Sequence, residues 1–135
     1  MTALDAIGPY EVLQAPTLGA DVRFVAREKG VKRTDFGRLR LTADYSLDET
    51  TSPDILVVPG TAFPQAVMGD PLVLEWIAQV HRTTKWTTPV CTGALGLAAA
   101  GVVMLNLRSG GGDARTSRPA RAPETAPDPG RRRGT

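Results

Sequence analysis

The stretch PDILVVPG, residues 53–60, restricts the fold more than any other part of the chain. Its four central residues, Ile55 to Val58, are all apolar, and the run ends at a Pro-Gly turn. An apolar run without alternation is typical of a strand buried on both faces, and such strands belong to parallel sheets covered by helices. The stretch therefore predicts a strand within a parallel sheet.

The next segment carries the signals of a helix. Asp70 stands at the cap position and Pro71 at the first helical position. Apolar residues then recur at helical spacing up to His81. A second strand-helix unit follows, with a short strand over 86–90 and a helix of small residues from Ala94 that ends at Gly101.

Three earlier segments complete the pattern. Residues 21–28 show strand-like alternation, residues 37–49 indicate a short hairpin or edge excursion, and residues 2–14 show approximately helical spacing. Gly8-Pro9 interrupts that spacing, so the helix is expected to be kinked or to begin late. Strands that alternate with helices predict an α/β fold, specifically a three-layer α/β/α sandwich of flavodoxin-like type with a mainly parallel sheet.

Composition changes sharply after Leu107. Residues 1–107 carry nine Lys or Arg and eleven Asp or Glu, whereas residues 108–135 carry seven Arg and three acidic residues. The second part has nine Gly or Pro and no Leu, Ile, Val or aromatic residue, so it cannot offset its ordering entropy by burying apolar surface. We therefore predict a folded domain over 1–107 and a disordered tail over 108–135. Nucleic acid is disfavoured as a partner, because the arginines of the tail are not interleaved with aromatic residues.

The sequence also indicates a cellular compartment. No apolar run approaches the roughly 18 to 20 residues that span a bilayer, and the first residues lack the basic start and apolar middle of a signal peptide. A single cysteine excludes an internal disulfide framework and fits a reducing environment. These features predict a cytoplasmic protein without a membrane partner.

The one cysteine, Cys91, lies between a predicted strand and a predicted helix. A helix N-terminus favours the thiolate form, and a sharp strand-to-helix turn would expose the sulfur as in a nucleophile elbow, whose Gly-x-Ser-x-Gly rule is half satisfied by Gly93. Backbone N–H groups of Thr92 and near Gly60 and Thr61 would then stabilise negative charge on a substrate. The alternative is an inert buried thiol, the commoner role of a lone cysteine in such a segment.

Four segments resemble the ThiJ/PfpI superfamily, which has the class I glutamine amidotransferase-like fold. Their order and spacing match as well as their residues, and the resemblance covers residues 2 to about 103. Two details favour the isonitrile hydratase branch and the related domains of transcription regulators, namely Thr92 after the cysteine and Asp5 within Leu-Asp-x-x-Gly-Pro. The segments are LDAIGPYEVL at 4–13, DILVVPG at 54–60, DPLVLEWI at 70–77 and VCTGALGLAAAG at 90–101.

The resemblance implies a mechanism. The Cys91 thiolate would attack the terminal carbon of an isonitrile, Asp5 would supply the proton, and the thioimidate would be hydrolysed to an N-substituted formamide. Thr92 would contribute its N–H, and neither a metal nor an organic cofactor would be required. The implied partners are a small-molecule substrate and, as in relatives, a second copy of the chain in a homodimer. From the residues alone, Asp5 is instead a first-turn acid favoured by the helix dipole, and His81 is a solvated or capping residue.

The chain departs from the family pattern at both ends. Members usually have an apolar strand before Leu-Asp-x-x-Gly-Pro, and after Gly101 they continue into strands and a histidine-bearing segment. We therefore expect a chain truncated at its start and truncated or frameshifted after about residue 103. Gly60 is also followed by Thr61, where a second glycine is common. Two alternatives to an enzyme follow, a non-catalytic ligand-sensing domain and a fragment without function.

Overall fold

The structure is a computed structural model that describes residues 1–102. The predicted tail over 108–135 lies outside the described residues. Within residues 1–102, no helix is both long enough and apolar enough to cross a membrane. The elements in chain order are α1 (Ala3–Leu13), β1 (Val25–Ala26), β2 (Gly30–Arg33), β3 (Arg40–Ala43), β4 (Tyr45–Ser46), β5 (Ile55–Val58), α2 (Pro64–Met68), α3 (Pro71–His81), β6 (Trp86–Pro89) and α4 (Gly93–Ala99).

Within residues 1–102 the strands form three separate pairs, and two of these pairs are parallel. Strands β5 and β6 run parallel, with Ile55 opposite Trp86 and Val58 opposite Pro89. Strands β1 and β4 are also parallel, while β2 and β3 form an antiparallel hairpin. The predicted α/β class with mainly parallel strands is confirmed. Strand β2 was not predicted, because only four residues of mixed polarity form it.

The core lies between the β5–β6 pair and the helices α3 and α4. Leu56 and Val58, on one face of β5, pack with residues of those helices and with the chain that follows α4. Helix α3 begins as predicted, because the Asp70 carboxylate accepts a hydrogen bond from the Val73 N–H and Pro71 occupies the first turn. The helical members of the core are Ile77, Val80 and Leu97.

Among residues 1–102, only one face of β5 is buried, so the prediction that both faces are buried is wrong. Ile55 is 40% exposed and Val57 is half-buried. Both line an open apolar cleft of about 410 Å³, whose other walls come from β6 and from Pro9 and Val12 of α1. The physical reason is that α3 and α4 cover one face completely, whereas α1 covers the other only in part.

Helix α1 passes through Gly8 and Pro9 without ending there. Of the two expected alternatives, a kink or a late start, the late start is wrong because the helix begins at Ala3. Pro9 has no N–H to donate to the carbonyl four residues earlier. The Thr2 N–H donates to the Gly60 carbonyl at 2.8 Å. This bond ties the start of α1 to the turn after β5.

Candidate active site

Cys91 occupies the sharp turn between β6 and α4. Its φ is 53°, the left-handed region that a non-glycine residue rarely adopts, and no other non-glycine residue in 1–102 has a positive φ. Hydrogen bonds hold the turn on both sides, from the Val90 N–H to the Val58 carbonyl and from the Gly93 N–H to the Val90 carbonyl, both at 2.9 Å. Cys91 is exposed, so it is not the buried inert thiol of the alternative interpretation. The turn has the geometry of a nucleophile elbow.

Gly93 allows α4 to begin directly against the end of β5. A Cβ built on Gly93 would overlap the carbonyl oxygen of Val58. Only glycine tolerates this approach, because every other residue would push the helix away from the strand. The elbow motif therefore needs a glycine at Gly93, because no side chain fits between α4 and the end of β5.

Thr92 and Thr61 are joined by two hydrogen bonds across 31 residues of sequence. The Thr61 N–H donates to Thr92 Oγ1 at 2.8 Å, and the Thr92 hydroxyl donates to the Thr61 carbonyl at 2.8 Å. Two predicted substrate-binding positions thus come together. The Thr61 N–H is engaged by this pairing, whereas the Thr92 N–H donates to no other residue within 1–102.

Asp5 reaches the same place from α1. The residue is only 9% exposed, and its Oδ2 has no hydrogen-bond partner among residues 1–102. A Cβ on Gly60 would lie 2.6 Å from Asp5 Oδ2 and 2.9 Å from both the N and Oγ1 of Thr92. The structure therefore gathers Asp5, Gly60, Thr61 and Thr92 around one point, beside the turn that carries Cys91.

The free oxygen of Asp5 has a chemical meaning. A buried polar atom without a partner costs about 1–3 kcal/mol, so folded proteins keep few of them, and those they keep are often functional. An unpaired carboxyl oxygen is available to give or take a proton. A cavity of about 10 Å³ beside Thr92 has room for about one water molecule.

Asp35 is a residue of this region that the sequence analysis does not single out. It lies in the turn between β2 and β3, and its carboxylate accepts hydrogen bonds from the Thr61 hydroxyl and the Ala62 N–H, both at 2.8 Å. Burial raises the pKa of Asp35, but hydrogen bonds from the Met1 ammonium, Ala62 and Thr61 outweigh burial and lower the pKa to about 2. An aspartate before Gly37 looks like an ordinary turn residue, so the sequence contains no signal for its distant partners.

His81 lies away from the elbow. Its Nδ1 is 2.9 Å from the hydroxyl of Thr87, which precedes Cys91 by four residues, or about 13 Å along an extended chain. His81 therefore contacts strand β6 at Thr87, and its solvated or capping role stays a prediction. Within the part of the chain that the structure describes, no three His, Cys, Asp or Glu side chains are grouped so as to hold a metal ion.

The fold and the site together define a class of protein. A parallel strand leads into a left-handed cysteine turn, a short helix follows, and another helix brings a buried carboxylate to the same point. This is the arrangement of an α/β protein of flavodoxin-like type with a cysteine elbow, as the sequence predicts.

The chain belongs to the DJ-1/PfpI family, whose sequence profile matches residues 1–109. It is 33% identical over 100 residues to the isonitrile hydratase of Pseudomonas putida, an alignment that covers 74% of this chain and 43% of that protein. A crystal structure of a ThiJ/PfpI family protein from Pseudomonas syringae matches with a TM-score of 0.69 and 28% identity, over 76% of this chain and 43% of that one. The predicted family and fold are confirmed, and the chain spans less than half the length of these two relatives.

Proposed function

We propose that the site is that of a cysteine-dependent enzyme of isonitrile hydratase type, which converts an isonitrile into an N-substituted formamide. One observation carries the proposal. The buried, unpartnered Oδ2 of Asp5 lies against Gly60 and Thr92, and Thr92 directly follows the exposed Cys91. The similarity to the isonitrile hydratase of Pseudomonas putida supports this reaction over other cysteine chemistry.

The first step joins the enzyme to the substrate. The Cys91 sulfur forms a bond to the terminal carbon of the isonitrile, and the same carbon receives a proton from Asp5. The product is a thioimidate, in which the substrate nitrogen is doubly bonded to a carbon that carries one hydrogen and the sulfur. The Thr92 N–H, in the residue directly after Cys91, is the donor assigned to the negative charge that develops on the substrate.

The second step releases the product. A water molecule adds to the thioimidate carbon, the carbon–sulfur bond breaks, and the nitrogen takes up a proton, which leaves the N-substituted formamide. Asp5 accepts a proton from the water and is ready for the next cycle, while the sulfur returns to its starting state. One water is consumed and nothing is oxidised or reduced, so the reaction balances without a further reactant.

The test is turnover of benzyl isonitrile by the purified chain, with N-benzylformamide measured by liquid chromatography. Cys91→Ala and Asp5→Asn should both abolish formation of the formamide, because one removes the nucleophile and the other the proton donor. Asp44→Asn is the matched control, since Asp44 is an exposed carboxylate between β3 and β4. It should react at the parent rate.

Three outcomes count against the proposal. They are turnover by Cys91→Ala, no formamide from the folded parent chain, and equal turnover by Asp5→Asn and Asp44→Asn. Saturable binding of benzyl isonitrile with no formamide would instead support the ligand-sensing alternative. Folding is checked in each case by circular dichroism, because loss of structure would support the fragment alternative.

A further inference from the structure

We propose that Asp35 is a positioning residue for this site, which holds the Thr61 loop and the start of α1 in place and thereby sets Thr92 and Asp5 beside Cys91. Its effect on turnover rests on the proposed function. Its effect on the reactivity of the cysteine does not.

The first link runs from Asp35 to Thr92. One carboxylate oxygen accepts from the Thr61 hydroxyl and the other from the Ala62 N–H, so both contacts fall on the loop after β5. Thr61 in turn exchanges two hydrogen bonds with Thr92. A chain of three residues therefore connects the β2–β3 turn to the residue that follows Cys91.

The second link runs from Asp35 to α1. The Thr2 hydroxyl donates to Asp35 Oδ2 at 3.2 Å, and the Asp35 N–H donates to the Met1 carbonyl at 3.0 Å. Thr2 also donates its N–H to the Gly60 carbonyl at 2.8 Å. These contacts form a ring that joins the start of α1, the β2–β3 turn and the loop after β5. Asp5 lies in the first turn of the helix that this ring anchors.

The charge of Asp35 suits this role. The side chain is only 5% exposed, and its carboxylate accepts hydrogen bonds from the Thr2 and Thr61 hydroxyls, the Ala62 N–H and the Met1 ammonium. An asparagine would turn an NH₂ group towards one of these donors, so at least one hydrogen bond would be lost and the charge that strengthens the others would be removed. The isosteric change Asp35→Asn therefore disturbs the links without creating a cavity.

The experiment measures alkylation of Cys91 by iodoacetamide in Asp35→Asn and in the control Asp44→Asn, well below the melting temperature of each. The rate in Asp35→Asn should fall about tenfold, the effect expected when one charge-assisted hydrogen bond of a network is lost. Asp44→Asn should match the parent. Turnover of benzyl isonitrile should fall with the alkylation rate, mainly in kcat, because Asp35 does not touch the substrate.

Thr61→Val and Thr61→Ser provide a second, matched pair. Valine removes the hydroxyl that reaches Asp35, whereas serine keeps it, so only Thr61→Val should slow alkylation strongly. The double variant Asp35→Asn/Thr61→Val should be little slower than Asp35→Asn alone, because both changes break one link. If Asp35→Asn does not fold, the comparison of Thr61→Val with Thr61→Ser decides the question by itself.

Alkylation rates in Asp35→Asn and Thr61→Val that stay within about twofold of the parent would overturn the inference. A slower alkylation in both variants, with no formamide from the parent chain, would leave the positioning role standing and reject the proposed reaction. A lower melting temperature with unchanged alkylation would mean that Asp35 is structural only, which also overturns the inference.

Discussion

Gly60 lies against the carboxylate of Asp5, so closely that a Cβ on Gly60 would be 2.6 Å from Asp5 Oδ2. The same Cβ would be 2.9 Å from Thr92 N and Oγ1. The absence of a side chain at this position is what lets α1 and the cysteine turn approach each other. Gly60 is therefore a spacing residue of the site, in addition to any contact that it makes with a substrate.

Gly60→Ala should reduce turnover of benzyl isonitrile by about a hundredfold, because the added methyl group must displace Asp5 or Thr92 and a misplacement of about 1 Å has an effect of that size. The control is Gly8→Ala, since a Cβ on Gly8 meets nothing within 4 Å. This control should keep its turnover and gain about 0.5–1 kcal/mol of unfolding free energy, because alanine favours a helix interior. Equal turnover in the two variants would contradict the prediction.

Gly93→Ala should lower the free energy of unfolding by about 3 kcal/mol or more, because its methyl group would overlap the Val58 carbonyl and the backbone cannot yield as a flexible side chain does. Urea unfolding followed by circular dichroism measures the change. Gly8→Ala again serves as the control. A midpoint equal to that of the parent would show that α4 moves away from β5 at little cost.

Cys91→Gly and Cys91→Ala should differ in stability although both lack the thiol. Glycine adopts a φ of 53° freely, whereas a residue with a Cβ pays about 1–2 kcal/mol in the left-handed region. The glycine variant should therefore unfold at a higher urea concentration than the alanine variant. The opposite order would argue against a strained turn at Cys91.

Acid should destabilise the protein partly through Asp35. The pKa of Asp35 falls from an ordinary value of 3.8 to about 2 on folding, so its stabilising contribution is complete above about pH 4 and disappears as the pH falls towards about 2. Unfolding free energies of the parent chain should decline across this window. Asp35→Asn should show a smaller decline than Asp44→Asn, and equal slopes would show that Asp35 is not the titrating group.

Much of the local structure follows from short stretches of sequence. The apolar run Ile55 to Val58 predicts β5, the Asp70-Pro71 pair predicts the start of α3, and the cysteine followed by Thr92 and Gly93 predicts the elbow. Each of these features depends on residues within a few positions of one another. Cap chemistry, apolar period and turn preference all act over that range, so they can be read along the chain.

The sequence by itself determined the α/β class, the strand-helix units and the identity of the thiol, since local preference and apolar spacing set them. Only the tertiary structure decided that one face of β5 stays open, that Asp5 Oδ2 is left without a partner within 1–102, and that Asp35 binds Thr61. These features depend on which distant surfaces meet when α1, β5 and the β2–β3 turn pack together. Hydrogen bonds across 26 to 31 residues leave no periodic trace in the sequence, because they arise from packing and not from neighbouring residues.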